Sequence, residues 1–332
     1  MDLPGPAAVP PLAEVLASLR VVALPMRVRF RGVTVREAAL IEGPAGWGEF
    51  APFPEYGDDE AAWWLASALE CAWLGPPDPV RTQVPVNATV PAVGPDRVPA
   101  LLDRFPGAQT VKVKVAEPGQ DLADDLARVA AVRARVPRVR VDANGAWTVD
   151  EAVRALSALA AQGPLEYAEQ PCRTVAELAA VRRAVPHVPI AADESIRRAE
   201  DPLAVARAQA ADVAVVKVAP LGGPRRLLAL AERLPMPIVV SSALDTVVGV
   251  GAGLATAAAL PTLAHACGLG TGGFFAADVG PAHPIAGGAI PARPGRVDPE
   301  AVGRLAADPD RTRWWRERIA RCHEVLTSLP TA

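Results

Sequence analysis

Lysine is nearly absent from this sequence. Lys112, Lys114 and Lys217 are the only lysines in 332 residues, whereas Lys and Arg together number 34. Arginine therefore carries the ordinary surface charge, and each lysine is a candidate for chemistry that arginine cannot perform. A lysine loses its proton when its surroundings lower its pKa, but arginine stays charged. All three lysines lie in apolar runs typical of β-strands, TVKVKVA and ADVAVVKVAP, which disfavours a role as leftover surface charge.

Cysteine is also scarce, and the basic residues form no cluster. The four cysteines, Cys71, Cys172, Cys267 and Cys322, are far apart and form no CxxC pair. This spacing disfavours a zinc ribbon or a disulfide scaffold and favours a reducing, cytoplasmic environment. The net charge of −3, with no basic stripe, disfavours a nucleic-acid partner.

Targeting and membrane segments are not expected. The first twenty residues lack the early basic cluster of a signal peptide. Residues 246–270 carry no Asp, Glu, Lys or Arg and are long enough to cross a bilayer. This stretch is rich in Ala and Gly and is interrupted by Pro261, so we interpret it as a buried helix followed by a buried strand.

Strand and helix patterns alternate through the middle of the chain. Strands are predicted at residues 85–89, 110–115, 139–142, 166–169, 190–193, 213–217, 237–241 and 262–266. Helices are predicted between most of them, at residues 121–135, 149–161, 175–184, 202–210 and 224–233. Eight strands at intervals of about 24–28 residues predict an α/β fold, a (β/α)₈ TIM-like barrel.

The flanks have a different pattern and predict a second, smaller unit. Residues 20–50 alternate as in a β-meander, and residues 59–74 and 298–328 have helical composition. We therefore expect an α+β capping domain at residues 1–84, a barrel at 85–284 and a C-terminal tail at 285–332 that returns to the cap.

Charged residues fall where the predicted strands end. The third, fourth and fifth strands end at Asp142, Glu169 and Asp193, and the strands on either side end at Lys114 and Lys217. Barrel active sites lie at the carboxyl ends of the strands, so these side chains should converge there. Any one acid alone could equally be a helix N-cap or a loop contact. Three converging carboxylates need a compensating cation, and an all-oxygen set favours Mg²⁺ over zinc.

The lysines suggest proton transfer at this site. Lys112 and Lys114 face the same interior because side chains alternate along a strand. Lys114 is nearer the rim, and both burial and its neighbour Lys112 would lower its pKa. Lowering the pKa of a lysine from about 10.4 to about 7–8 corresponds to about 3–4 kcal/mol. A lysine with this lowered pKa is a usable general base. Lysines on both sides of a carboxylate-bound metal suggest proton abstraction next to the carboxylate of a small-molecule substrate.

These residues resemble the enolase superfamily. The motifs KxK, DxN, EQP, DES and KxxP occur here as Lys112/Lys114, Asp142/Asn144, Glu169-Gln170-Pro171, Asp193-Glu194-Ser195 and Lys217. Lysines on the second and sixth strands resemble the muconate-lactonizing subgroup, whereas a mandelate-racemase-like chain would carry a histidine where Ser241-Ser242 stand. Within that subgroup the chain is most similar to the o-succinylbenzoate synthase family, on the basis of RVDANGAW, SSALDT, the short length and the cap loop GWGEFAPFPEYG at 46–57.

The resemblance implies a lyase of menaquinone biosynthesis. The family reaction is the syn dehydration of 2-succinyl-6-hydroxy-2,4-cyclohexadiene-1-carboxylate to 2-succinylbenzoate through an enediolate. It implies that Lys114 removes the proton and then protonates the departing hydroxide, while Lys217 stabilises the enediolate and Lys112 is a second cation. It also implies Mg²⁺, with Mn²⁺ as a substitute, held by the three strand-end acids.

Substrate contacts are less sharply defined by the sequence. The candidates are Arg140, Asn144, Ser241, Ser242 and Gly272. Arg140 has the alternative of an internal ion pair, and Ser242 and Gly272 have that of ordinary turn chemistry. The GLGTGG segment at 268–273 lacks the βαβ context of a dinucleotide site and favours a loop that binds a substrate carboxylate.

Three other functions remain open at this point. The same residues serve an N-acylamino-acid or dipeptide racemase, in which Lys114 and Lys217 act from opposite faces. A Schiff-base aldolase would use one of these two lysines as a nucleophile. A non-catalytic barrel would bind no metal. The sequence does not define an oligomeric state.

Overall fold

Strands and helices alternate through the middle of the chain in the computed structural model, which describes residues 9–30, 33–197 and 202–329. The strands are β1 (Arg20–Phe30), β2 (Val33–Gly43), β3 (Gly46–Phe50), β4 (Gln83–Pro85), β5 (Ala88–Val90), β6 (Thr110–Lys114), β7 (Arg138–Asp142), β8 (Tyr167–Glu169), β9 (Ile190–Ala192), β10 (Val213–Lys217), β11 (Ile238–Ser241) and β12 (Ala289–Pro291). The α-helices are α1 (Leu12–Ala17), α2 (Asp58–Leu74), α3 (Val98–Leu102), α4 (Leu122–Arg133), α5 (Val149–Ala161), α6 (Val175–Ala184), α7 (Glu194–Arg197), α8 (Ala204–Arg207), α9 (Pro224–Ala231), α10 (Val247–Ala259), α11 (Pro299–Arg304) and α12 (Pro309–Ser328).

Seven parallel strands form the barrel sheet, in the order β5-β6-β7-β8-β9-β10-β11. An eighth segment closes it through two parallel bridges, Val86 to Cys267 and Ser241 to Gly268. The close approach to β11 favours glycine, because a Cβ at Gly268 would lie 2.5 Å from Ser241 Oγ and 3.1 Å from Ser241 Cβ. The predicted α/β barrel is confirmed.

The eighth predicted strand, at residues 262–266, is wrong: the strand-like contacts lie just beyond it, at Cys267 and Gly268. Arginine side chains bind the backbone carbonyls around this segment. Arg81 donates to the carbonyls of Leu260 and Pro261, and Arg140 donates to that of Ala266. The two bridges that remain are too few for a regular ladder.

Other boundaries differ by shorter amounts. The first predicted strand, 85–89, divides into β4, which pairs with β12, and β5, which joins the barrel. The helix predicted at 202–210 shortens to α8. The helical tail at 298–328 divides into α11 and α12, because Asp308 caps the second helix and Pro309 begins it.

The barrel helices begin at capping residues that the sequence supplies. The capping boxes pair Asp121 with Asp124 at α4, Thr148 with Glu151 at α5 and Thr174 with Glu177 at α6. These reciprocal hydrogen bonds set the N-termini, so the predicted ranges of α5 and α6 are confirmed. Within the described part of the chain, no helix combines the length and apolarity needed to cross a membrane.

The flanking elements pack together on the carboxyl side of the barrel strands. β1, β2 and β3 form an antiparallel sheet, and α2 and the C-terminal α12 share its core. Trp64 and Trp315 are fully buried there, and the Trp315 ring packs edge-on against Phe50 at 5.6 Å. Trp315 lies on α12, so the burial of this indole against Phe50 of β3 helps to attach the tail to the sheet.

Candidate active site

Charged side chains converge at the carboxyl ends of the barrel strands. Lys114, Asp142 and Glu169 are register partners across β6, β7 and β8. Lys217 ends β10, and Asp193 follows β9 directly. Five of the six predicted groups line one cavity of about 460 Å³. The sixth, Glu169, is bound to one of those five, Lys112.

Each carboxylate is paired with a lysine. The Lys112 ammonium lies 2.7 Å from Glu169 Oε1 and 3.2 Å from Asp142 Oδ2. The Lys114 ammonium lies 2.5 Å from the same Asp142 oxygen. Lys217 forms an ion pair with Asp193 on the far side of the cavity. Lys114 and Lys217 therefore approach the same cavity from different strands, with the acid-bearing strands between them.

Burial and mutual charge shift the pKa values in this cluster. Burial would raise the pKa of Asp142, but the Lys114 and Lys112 ammonium groups outweigh it and hold the pKa below the usual range. Burial and the Asp142 charge raise the pKa of Glu169 to about 7. For Lys112, burial is outweighed by Glu169 and Asp142, which raise its pKa. Lys112 thus stays charged and is unsuited to act as a base.

The EQP and DxN motifs position their neighbours. Gln170 has φ +39°, and its Oε1 accepts hydrogen bonds from the backbone amides of Asp193 (3.0 Å) and Ser195 (3.2 Å). Its side chain therefore ties the end of β8 to the end of β9. Asn144 lies behind the lysine base candidate, with its Oδ1 2.7 Å from Lys114 Nζ. Asn144 contacts the candidate base directly, so its predicted role toward substrate stays a prediction.

Residues from several loops complete the cavity wall. Ser241 and Ser242 line it as the sequence suggests, and Ser242 Oγ lies 2.5 Å from Thr271 Oγ1. The predicted Gly272 lines a neighbouring cavity instead, with Thr271 at the wall. The wall residues that the sequence analysis did not single out are Phe53, Thr89, Ala243, Leu244, Gly268 and Thr271. Phe53 belongs to the aromatic cap loop, which is the one sequence signal that pointed toward it.

Arg140 forms an internal ion pair. It is fully buried, and its Nε donates to Glu166 Oε2 at 2.6 Å. Its guanidinium lies 4.5 Å from the centre of the Tyr167 ring, and Nη1 donates to Asn87 Oδ1. Because side chains two residues apart lie in successive layers of the barrel, Arg140 sits one layer beneath Asp142. Of its two expected roles, the ion pair is the one this structure shows.

Two family descriptions match the chain. "Enolase C-terminal domain-like" matches residues 100–303, and "Enolase N-terminal domain-like" matches residues 21–72. The fold agrees with that of muconate lactonizing enzyme from Pseudomonas fluorescens, with a TM-score of 0.73 over 87% of this chain and 98% of that one, at 22% identity. The chain belongs to the enolase superfamily.

Relatives with much higher sequence identity indicate which group of enzymes within the superfamily the chain resembles. O-succinylbenzoate synthase from Mycolicibacterium smegmatis is 62% identical over 96% of this chain and 99% of its own length. The enzyme of the same name from Mycobacterium ulcerans is 62% identical over 98% of both chains. Within the superfamily, this likeness places the chain among the o-succinylbenzoate synthases, which are lyases.

Membership of this superfamily implies a divalent metal, and the strand-end acids fit one. Within the described ranges no three His, Cys, Asp or Glu side chains form a ready-made metal site; lysine ammonium groups bind the carboxylates instead. The donor chemistry nevertheless fits, because Glu169 Oε2 is buried without a hydrogen-bond partner. A buried, unpartnered carboxylate oxygen is costly, and a hard cation is the partner it suits.

Proposed function

We propose that the protein catalyses the syn dehydration of 2-succinyl-6-hydroxy-2,4-cyclohexadiene-1-carboxylate to 2-succinylbenzoate, a step of menaquinone biosynthesis. The observation that carries this proposal is the arrangement of Lys114 and Lys217 at one cavity, on strands that flank the three acid-bearing strands. The relatives named o-succinylbenzoate synthase support the substrate.

Lys114 is the proposed base. In its neutral form it removes the proton from the ring carbon that bears the carboxylate, and the electron pair moves into the carboxylate to give an enediolate. Asp142 and Asn144 bind the amine, so its position relative to the substrate is fixed before reaction. The chain needs lysine here because arginine would hold its proton at any working pH.

Lys114 also completes the reaction. The enediolate electrons return to the ring, the carbon–oxygen bond breaks, and the ammonium of Lys114 gives its proton to the departing hydroxide, which leaves as water. One residue serves both steps because both groups leave from one face. The ring becomes aromatic, so the second step needs little help beyond positioning.

Lys217 is the proposed electrostatic partner. Its ammonium is buried beside Asp193 at the cavity wall and brings positive charge to the developing enediolate. Lys112, whose pKa is raised by Glu169 and Asp142, adds a second fixed positive charge one layer deeper. Neither residue has to exchange a proton with the substrate.

Asp142, Glu169 and Asp193 are the proposed ligands of Mg²⁺. When bound, the cation would supply Lewis-acid charge at the substrate carboxylate. Phe53 and Leu244 enclose the cavity from the cap loop and from the loop after β11, and would keep bulk water from the enediolate.

The direct test is dehydration of the cyclohexadiene substrate, followed by the absorbance of the aromatic product. Activity should disappear with EDTA and return with Mg²⁺, and the protein should bind Mg²⁺ more weakly after Glu169→Gln. The control is racemisation of N-acylamino acids, measured by polarimetry. Racemisation without dehydration would refute the proposal and favour the racemase.

A further inference from the structure

Arg36 is buried between the cap and the barrel, with an exposed fraction of 2%. It lies on β2, and the acceptor of each hydrogen bond from its guanidinium is a backbone carbonyl. Nε donates to the Leu244 carbonyl at 3.2 Å, and Nη2 contacts the carbonyls of Ala51 and Ala243. Ala51 belongs to the cap loop, whereas Ala243 and Leu244 belong to the loop after β11. One side chain therefore joins two segments that are almost two hundred residues apart in sequence.

The same guanidinium contacts an aromatic residue of the cavity wall. The Arg36 carbon Cζ lies 4.4 Å from the centre of the Phe53 ring. Phe53, Ala243 and Leu244 all line the cavity that contains Lys114 and Lys217. Arg36 itself does not line this cavity. It thus contacts residues of the cavity wall on the side that faces away from the cavity. These residues belong both to the cap loop and to the loop after β11.

The loop that Arg36 binds is conformationally strained. Leu244 has φ +62°, which is uncommon for a residue with a branched side chain. Such a conformation is unfavourable and persists only where the surroundings hold it. The bond from Arg36 Nε to the Leu244 carbonyl is one of the contacts that hold it.

Two nearby acids offset part of the cost of burying the charge of Arg36. Burial lowers the pKa of Arg36, and the charges of Glu49 and Asp245 oppose that shift. Glu49 lies on β3 of the cap, and its carboxylate accepts hydrogen bonds from Thr246 and Gly249 at the start of α10. The arginine is therefore part of a charged junction that also anchors the helix after the strained loop.

We propose that Arg36 is a positioning residue for substrate binding, which holds Phe53 and the Ala243–Leu244 backbone at the spacing that the substrate requires. This inference rests on the proposed dehydration. Arg36 forms none of its hydrogen bonds with Lys114, Lys217 or the three strand-end acids, so the proton-transfer groups stay in place when it is replaced. Its loss should weaken substrate binding and leave the chemical step nearly intact.

The test is Arg36→Met, with Arg81→Met as the matched control. Arg81 also donates to backbone carbonyls, those of Ala257, Ala258, Leu260 and Pro261, but at the far end of α10. For Arg36→Met we expect KM to rise at least about tenfold with kcat changed less than about threefold. For Arg81→Met we expect both constants to stay near those of the unmodified protein.

The division between KM and kcat separates positioning from a merely structural role. Partial unfolding would reduce the active fraction, which lowers kcat per total protein and leaves KM unchanged. That pattern, or an unchanged KM with full activity, would overturn the proposal. Arg36→Lys should not restore KM, because an ammonium cannot reproduce the planar fork, whereas guanidinium ion added to Arg36→Ala should lower KM again.

A second measurement needs no substrate. Amide hydrogen exchange should accelerate in residues 51–56 and 243–249 of Arg36→Met, and not in the barrel strands. If the unmodified protein shows no dehydratase activity, the proposed reaction fails while this exchange result can still stand. If the enzyme is active and exchange in these two loops is unchanged, the role of Arg36 is refuted.

Discussion

Replacing Lys114 and Lys217, each in turn, by arginine separates a proton carrier from a fixed charge. In the proposed dehydration Lys114 must lose and regain a proton, whereas Lys217 only has to be positive. Lys114→Arg and Lys217→Arg are the same chemical change at two positions of one cavity. A large difference between their activities is therefore a direct consequence of the mechanism.

The expected size of the effect follows from the neutral fraction of each side chain. Arginine has a pKa of at least about 12.5, so at pH 8 less than about 1 in 10⁴ of the molecules carries a neutral guanidine. We expect Lys114→Arg to lose at least about 10⁴-fold in kcat, which corresponds to about 5 kcal/mol. Lys217→Arg keeps its charge and should lose only about 10- to 100-fold, mainly because a larger side chain must fit a buried site.

The fold should survive the change at Lys114. Its ammonium lies 2.5 Å from Asp142 Oδ2, and arginine can keep that ion pair. Asp142 also retains Lys112 at 3.2 Å, so the carboxylate is not left as an unpaired buried charge. Urea unfolding should therefore give similar midpoints for Lys114→Arg and the unmodified protein.

The assay is the absorbance of the aromatic product at saturating substrate and Mg²⁺, with single-turnover measurements to exclude slow product release. Equal losses in the two variants would contradict the division of roles and match a racemase, which needs an acid and a base on opposite faces. Retained activity in Lys114→Arg would remove that residue from the base role altogether.

Two further predictions concern the pH dependence of the free energy of unfolding. Glu166 should stabilise the fold at higher pH, and Glu49 should stabilise it at lower pH. Burial is outweighed by His265 and Arg140, so the pKa of Glu166 is lowered to about 2; its stabilisation is present above the unfolded pKa and lost as pH falls toward 2. Glu166→Gln should therefore flatten the acid side of the unfolding free energy between pH 5 and pH 2, measured with urea, and an unchanged slope would refute this. Burial and Asp245 raise the pKa of Glu49 to about 7, so its contribution is complete below the unfolded pKa and declines as pH rises through 7. Glu49→Gln should be less pH-dependent between pH 5 and pH 8, and a decline as steep as that of the unmodified protein would show that another group is responsible.

Most of the barrel and its site could be predicted because periodicity and strand-end chemistry are local signals. β10 and helices α5 and α6 match their predicted bounds, and the six charged groups could be located from their positions at the ends of apolar runs. The eighth strand could not be located in this way, because it is reduced to two bridges at Cys267 and Gly268, and the carbonyl of the preceding Ala266 is bound by the distant side chain of Arg140. The domain boundaries and the roles of the substrate-contact candidates stay predictions.

The difference between Lys114 and Arg36 shows what makes a residue detectable in a sequence. Three lysines in a chain with abundant arginine attract attention because they are rare, and their strand positions then define a site. Arg36 is one of many arginines and lies in an alternating strand, where a solvent-facing cation is the ordinary expectation. Only tertiary structure shows that its guanidinium is buried against two loops of the cavity wall. Residue rarity therefore pointed to the lysines that we propose take part in the chemistry, whereas the group that we propose positions the substrate became visible only through contacts between distant segments.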